Sequence, residues 1–324
     1  MTHGVCDRKG NIRVDPPPPA GAHTLELAAL GAAGAPLDVA RLAFTHLGHS
    51  PADDPDALCL LSYSQSGNHM LRFIVEYLTA RPTAGCRGNL ADRPIHANAF
   101  PPPHRPLDHV DAWAPPSAYK FHYSGPAAIT HSADCKVELG SCRRLVLLVR
   151  DFGKCIPRYF EGVSDAAAAV KGPPSVEAID VQTDLYLDNL RTFAAFPGPR
   201  LLVRYEDLVA NHSAAAAVAA FLAAAAGPTE GGAIRRRAAA LAADYEGLLA
   251  LSRGAAGRSW MGVRRASSSY LRGWSNVHIC HLAGRLEAAL RPDADGGGGD
   301  AVVREALTGY RGTLELLKTA CSFV

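Results

Sequence analysis

Residues 58–78 read LCLLSYSQSGNHMLRFIVEYL, an apolar run that gives way to small and polar residues and then resumes at helical spacing. The first part is typical of a strand buried on both faces, and the last part of an amphipathic helix. A strand, a short loop with Ser66 and Gly67, and a helix can form a cradle for phosphate, because glycine lets the backbone approach and the helix N-terminus offers free N–H groups. The loop lacks the lysine of the Walker A pattern. A plain turn in which Ser66 or Asn68 caps the helix is the alternative interpretation.

An apolar run with a polar end occurs twice more, in RRLVLLVRD (residues 143–151) and PRLLVRYEDL (residues 199–208). Strands of this kind that alternate with helices predict an α/β fold, with a central parallel β-sheet flanked by helices and ligands beyond the carboxyl ends of the strands. We assign residues 56–324 to this domain. Residues 1–55 are predicted to form an N-terminal extension, partly disordered around a run of four prolines. The alanine- and leucine-rich stretch that follows residue 24 favours a helix.

The charge balance gives no reason to expect a polyanionic partner. Lysine and arginine number 33 and aspartate and glutamate 31, so the net charge is +2, and neither nucleic acid nor an anionic membrane surface is indicated. No segment reaches the roughly 18 strongly apolar residues of a transmembrane helix, and the N-terminus lacks the apolar core of a signal peptide. The sequence therefore predicts no membrane span and a cytoplasmic protein, with the Golgi lumen as the alternative. A sequon at Asn211-His212-Ser213 would matter only in a secreted protein.

The eight cysteines are scattered and include no C-x-x-C pair, which argues against a zinc module and against a dense disulfide framework. We expect most of them to be reduced and structural, and we expect no metal cofactor. Cys135 and Cys142 are near enough in sequence to close a small loop in an oxidising compartment. Two free thiols are the favoured expectation for this pair, because cysteine is commonly buried.

The loop sequence SYSQSGNHM (residues 62–70), together with later segments, resembles the sulfotransferases that use 3′-phosphoadenosine 5′-phosphosulfate. The resemblance covers roughly residues 57–276 and implies the three-layer architecture of the P-loop sulfotransferases. It also implies that the 5′-phosphosulfate is bound by Ser64, Gln65, Ser66, Gly67, Asn68 and His69. Two positions depart from the family pattern, since Ser64 replaces its proline and Gln65 replaces its lysine or arginine.

The segment YKFHYS (residues 119–124) is similar to the K-x-H segment of the same family. The resemblance implies that His122 is the general base that removes the proton of the acceptor. Histidine is also the side chain whose ordinary pKa suits this role near neutral pH. Lys120 is the nearest matched cation that could replace the charge missing at Gln65, and a protonated His69 is a second candidate.

The segment LVLLVRDFGKCIPRYF (residues 145–160) is similar to the family's strand, loop and helix that hold the 3′-phosphate. Arg150 takes the position of the family's arginine, and its planar guanidinium suits phosphate. Arg158 stands where the family has serine. It is interpreted either as a second phosphate ligand or as a cation on the helix surface.

Two further segments extend the resemblance. LLVRYEDLVAN (residues 201–211) implies that Tyr205 lies near the adenine, and the alternative is that its charged neighbours form a structural network. VRRASSSYLRGWSNV (residues 263–277) fits the family at Trp274 and Asn276, but no arginine in it is assigned a role.

These features predict a sulfotransferase that moves a sulfuryl group from 3′-phosphoadenosine 5′-phosphosulfate to a hydroxyl or amine of a small molecule, lipid or glycan. A catalytically weak or silent protein that binds the nucleotide is the main alternative, because of Gln65 and Arg158. A kinase of the P-loop class is disfavoured, since the Walker lysine is absent. The sequence does not indicate an oligomeric state.

Overall fold

A computed structural model of the chain describes residues 3–6, 12–15, 21–30, 36–46, 56–84, 107, 110, 116–121, 141–163, 174–254, 274–291 and 298–321. The statements that follow concern these residues.

The N-terminal region contains two antiparallel hairpins. Strands β1 (His3–Cys6) and β2 (Ile12–Asp15) pair with each other, and β3 (Gly21–Leu30) pairs with β4 (Pro36–His46). The prediction of a helix after residue 24 is therefore wrong. Helix propensity is a weak preference, and pairing with a second strand overrides it in this alanine- and leucine-rich stretch. The boundary between residues 55 and 56 stays a prediction.

The central sheet has five parallel strands in the order β6-β7-β5-β8-β9. Their bounds are β5 Leu58–Ser62, β6 Thr83–Ala84, β7 Ala118–Phe121, β8 Arg144–Val149 and β9 Arg200–Arg204. In β5, Leu58 and Leu60 join one buried core, and Cys59 and Leu61 join the other. Both faces of the strand are thus covered, as its uninterrupted apolar run predicts.

Helices cover the two faces of the sheet. One core is shared by α1 (Asn68–Thr79), α4 (Tyr205–Ala210), α5 (Ser213–Ala225), α6 (Pro228–Ala243) and α7 (Tyr245–Gly254). The other is shared by α2 (Phe152–Val163), α3 (Val176–Ala195), α8 (Asn276–Leu290), α9 (Gly298–Thr308) and α10 (Arg311–Cys321). The predicted α/β fold with a parallel sheet between two layers of helices is confirmed.

A buried polar network fixes α1 against the sheet. Arg72 and Glu76, both within α1, are 2% and 0% exposed. The Nε of Arg72 donates to Thr83 Oγ1 at 2.8 Å, and Glu76 Oε1 accepts from the backbone N–H of Thr83 at 3.1 Å. Because buried charges need such partners, the network ties the middle of α1 to β6 and so helps to set the direction in which its N-terminus points.

Two disulfides contradict the expectation that most cysteines are reduced. Cys59 in β5 is bonded to Cys142, and Cys280 in α8 is bonded to Cys321 at the end of α10. The partners are 83 and 41 residues apart in sequence, but their Cα atoms lie 5.8 and 5.3 Å apart, a separation that suits a disulfide. The expectation of a free thiol at Cys142 is wrong, because the pairing of β5 with β8 brings it to Cys59. Cys135 lies outside the described residues.

No helix in the described ranges combines the length and apolar character needed to cross a membrane.

Candidate anion-binding site

The carboxyl ends of three neighbouring strands bring the predicted binding residues together. The loop of residues 63–67 follows β5, Arg150 follows β8, and Tyr205 follows β9. Strand β5 pairs with β8, and β8 pairs with β9, so the three ends are adjacent. The loop, Arg150 and Tyr205 therefore meet at the edge of the sheet where ligands of parallel α/β folds bind.

The loop turns sharply before α1 begins. The N–H of Ser66 donates to the carbonyl of Tyr63 at 3.2 Å. Gln65 and Gly67 have φ angles of 64° and 91°, in the left-handed region that favours glycine. Gly67 is the N-cap of α1 and has no side chain with which to cap the helix. The alternative in which Ser66 or Asn68 occupies the N-cap is wrong.

Several polar atoms near this loop are buried without a partner. Within the described part of the chain, Ser62 Oγ, Ser66 Oγ and Arg150 Nε find no hydrogen-bond acceptor or donor. The three residues are 1%, 0% and 7% exposed. A buried polar atom left unpaired costs about 1–3 kcal/mol, and in native proteins such atoms are rare. A bound anion at the N-terminus of α1 would supply the missing partners.

Arg150 is the cation held directly against the loop. Its Nη1 donates to the backbone carbonyl of Gln65 at 2.9 Å, and its guanidinium carbon lies 4.4 Å from the centroid of the Tyr205 ring. Its backbone carbonyl accepts from the Tyr186 hydroxyl at 2.9 Å. Burial raises the pKa of Tyr186 well above its usual value, so that hydroxyl remains a donor. The backbone carbonyl and the guanidinium of Arg150 are thus both held by hydrogen bonds, and the positive charge lies against the loop.

Tyr205 packs against the loop glycine. A Cβ placed on Gly67 would lie 2.3 Å from Cδ2 and 2.4 Å from Cε2 of the Tyr205 ring. No real Cβ contact is this short, so the position admits glycine alone in the present arrangement. Its φ of 91° gives the same result independently. Tyr205 therefore shapes the loop.

Glu206, which follows Tyr205, belongs to a structural network. Glu206 accepts from the backbone N–H of Asp151 at 3.2 Å and from the Tyr310 hydroxyl at 2.9 Å. Thr313 donates to Asp151 Oδ2 at 2.6 Å. These bonds tie the ends of β8 and β9 to α10 and to the turn that precedes it. The structural interpretation thus holds for Glu206, while Tyr205 itself faces the loop.

For the other predicted site residues, the structure gives the element in which they lie or their burial. Arg158 lies in α2 and is 8% exposed, so the interpretation as a helix-surface cation is wrong. Lys120 is half-buried near the end of β7, where it is registered with Leu60. Ser64 and His69 are half-buried, and Asn68 is buried. His122 lies outside the described residues.

Sequence reasoning missed the interior contacts that hold this edge. The Tyr63 hydroxyl donates to Gln182 Oε1 at 2.7 Å, across 119 residues of sequence. The ring of Tyr63 lies 5.7 Å from that of Tyr186 in an edge-on contact. Tyr63 has no predicted role, and no local pattern marks Gln182 or Tyr186. Only the packing of α3 on the sheet brings them to the loop.

Among the described residues no group of three or more histidine, cysteine, aspartate or glutamate side chains is arranged to hold a metal ion. A scan of the chain against models of protein families finds no match, and a search of curated proteins finds no significant similarity. The geometry of the site and the residues that carry the resemblance are thus the basis for assigning a function.

Proposed function

We propose that the protein is a sulfotransferase that moves a sulfuryl group from 3′-phosphoadenosine 5′-phosphosulfate to a hydroxyl or amine of a small molecule, lipid or glycan. The observation that carries this proposal is the loop of residues 63–67. It leads into a helix whose N-cap is glycine, it holds the unpartnered Ser66 hydroxyl, and it is bonded to the Arg150 guanidinium. Backbone donors, a helix dipole and a fixed cation together favour a phosphate or sulfonate group.

In the proposed reaction the acceptor oxygen or nitrogen attacks the sulfur, and the bond between sulfur and the bridging oxygen breaks. The electron pair of that bond leaves with the 5′-phosphate. His122 takes the acceptor proton, as the resemblance implies. Because charge develops on the bridging oxygen, fixed donors near the N-terminus of α1 supply much of the rate.

Arg150 supplies the positive charge that Gln65 lacks. The side chain of Gln65 is neutral and exposed, while the carbonyl of the same residue is bonded to Arg150. The guanidinium therefore lies against the loop that is proposed to hold the 5′ side of the nucleotide. By resemblance alone Arg150 would serve only the 3′-phosphate, so the proposal gives it a second task.

The two positions are tested by Gln65→Lys and Arg150→Gln, alone and combined. Removal of one preorganised donor lowers turnover by about 100- to 1,000-fold in other enzymes, and we expect a loss of this order for Arg150→Gln. Gln65→Lys should raise the transfer rate and should reduce the loss caused by Arg150→Gln. The assay is the transfer of labelled sulfonate to a panel of acceptors, with melting temperatures as the control for folding. If the two changes alter the transfer rate independently of each other, Arg150 does not supply the charge that Gln65 lacks.

His122→Ala should abolish transfer and leave the affinity for 3′,5′-phosphoadenosine unchanged, because a general base touches the acceptor and not the nucleotide. Calorimetry with the desulfonated nucleotide measures the affinity. A parallel loss of binding would remove His122 from the role of base.

A protein that binds the nucleotide without transferring the sulfuryl group is the second candidate function. The neutral side chain of Gln65 at the family's cation position favours it. Calorimetric binding of 3′,5′-phosphoadenosine with no sulfonate transfer to any acceptor would support this candidate. Absence of binding would refute both functions.

A further inference from the structure

The two disulfides indicate the compartment in which the chain folds. Each joins parts of the chain that meet only in the folded protein, since Cys59 lies in β5 and Cys142 just before β8, and Cys280 and Cys321 bridge two helices. Cys59 and Cys142 are 0% and 6% exposed, so this bond is formed during folding and is then shielded from reductants. Such bonds form and persist in oxidising compartments and are rare in the cytosol. The disulfides favour the lumenal alternative over the cytoplasmic expectation.

The sequon at Asn211-His212-Ser213 is placed where a glycan can be attached. Asn211 and His212 lie between α4 and α5, Ser213 is the first residue of α5, and all three residues are exposed. The N–H of Asn211 donates to the carbonyl of Asp207 at 3.2 Å, and Asn211 Oδ1 accepts from the N–H of Ser213 at 2.8 Å. The Ser213 hydroxyl also donates to Asn211 Oδ1. The asparagine and the serine that define the sequon are thus presented side by side at the surface.

We propose that Asn211 carries an N-linked glycan and that the chain folds in an oxidising, glycosylating lumen. The bond that forms joins Asn211 Nδ2 to C1 of the first sugar of a lipid-linked oligosaccharide. The bond from C1 to the lipid pyrophosphate breaks, the pyrophosphate leaves with the electron pair, and the amide proton passes to a base of the transferring enzyme. No oxidant or reductant takes part in this step.

A glycan at Asn211 would leave the loop of residues 63–67 accessible. Helix α4 separates Tyr205 from Asn211, and six residues of helix span about 9 Å. The first sugar would therefore be attached at the exposed end of α4 that lies opposite Tyr205. The modification is independent of the proposed activity.

The test uses the full chain, epitope-tagged and isolated from its own cells after acid quenching and thiol blocking. We expect a peptide-N-glycosidase to lower its apparent mass and to convert Asn211 to aspartate, as read by mass spectrometry. We also expect disulfide-linked peptides that contain Cys59 with Cys142 and Cys280 with Cys321. Asn211→Gln and Ser213→Ala should both lose the mass shift, whereas Ser213→Thr, which keeps the sequon, should retain it.

Ser213→Ala is the control for misfolding of Asn211→Gln. It retains the bond from the Ser213 backbone N–H to Asn211 Oδ1, which Asn211→Gln removes. A wild-type chain without a glycan overturns the proposal, whether or not its disulfides are present. Blocked, unpaired thiols at all four cysteines overturn the assignment of the lumen. A mass shift that persists in both Asn211→Gln and Ser213→Ala places the glycan elsewhere and overturns the site.

Discussion

Substitution of Gly67 by alanine tests the geometry on which the proposed cradle depends. The new Cβ would lie 2.3 Å from Cδ2 of Tyr205, and the backbone would have to keep a φ of 91°. Both effects act at the junction between the loop and α1. The ring, the loop or the helix start must therefore move before the variant can fold.

The expected cost can be worked out from its two causes. The left-handed conformation costs alanine about 1–2 kcal/mol relative to glycine, and an added methyl group in a well-packed site costs about 1–3 kcal/mol. We therefore expect Gly67→Ala to lower the free energy of unfolding by about 2–5 kcal/mol. Truncation of the ring by Tyr205→Ala removes the clash, so in that background only the conformational part, about 1–2 kcal/mol, should remain.

Equilibrium unfolding in urea with the disulfides intact measures these free energies. Calorimetry with 3′,5′-phosphoadenosine measures whether each variant still binds the nucleotide. Gly284→Ala is the matched control. Gly284 lies exposed within α8, and a Cβ there meets nothing within 4 Å, so the free energy of unfolding should rise by about 0.4–1 kcal/mol. If Gly67→Ala is as well tolerated as Gly284→Ala, or if it costs the same with and without the Tyr205 ring, the described packing is refuted.

Two further predictions concern the interior beneath the loop. Tyr63→Phe keeps the ring and removes the buried bond to Gln182, so the free energy of unfolding should fall by about 1 kcal/mol, and an unchanged urea midpoint would show that the bond contributes nothing. Cys155 is a buried free thiol whose pKa is raised by burial, which keeps it protonated at neutral and mildly alkaline pH. Iodoacetamide should therefore label it only after unfolding in urea, and labelling of the native protein would contradict its burial.

The central fold follows from the sequence because its signals are local. Residues 58–61 and 145–149 are apolar on both faces, and each run is followed by a polar residue that the fold places at the carboxyl edge of the sheet. The helix after Gly67 has its apolar positions at helical spacing, and all but one of its residues are buried. The loop, Arg150 and Tyr205 were therefore predictable as residues of one sheet edge, whereas their adjacency depends on the strand order β5-β8-β9.

Contacts between distant residues were not predictable in this way. The bond from Arg150 to the carbonyl of Gln65 spans 85 residues, and it uses a backbone atom that exists at every position. The disulfide partner of Cys142 depends on which strand lies beside β8, and eight scattered cysteines leave many pairings open. Burial of Arg158 depends on how α2 packs, which an arginine in sequence does not reveal.

The neutral residue in the loop and the cation beside it are connected. With glutamine at position 65, the Arg150 guanidinium can bond the carbonyl of that residue at 2.9 Å without repulsion from the side chain. A lysine at the same position would place a second positive charge next to the first, and like charges at short range oppose one another. Gln65→Lys should thus raise the transfer rate only slightly while Arg150 is present. The larger increase should appear in the Arg150→Gln background. Under the proposed function, glutamine at position 65 and the guanidinium of Arg150 would form one arrangement, in which Arg150 at the end of β8 supplies the charge and the helix after β5 supplies the backbone donors.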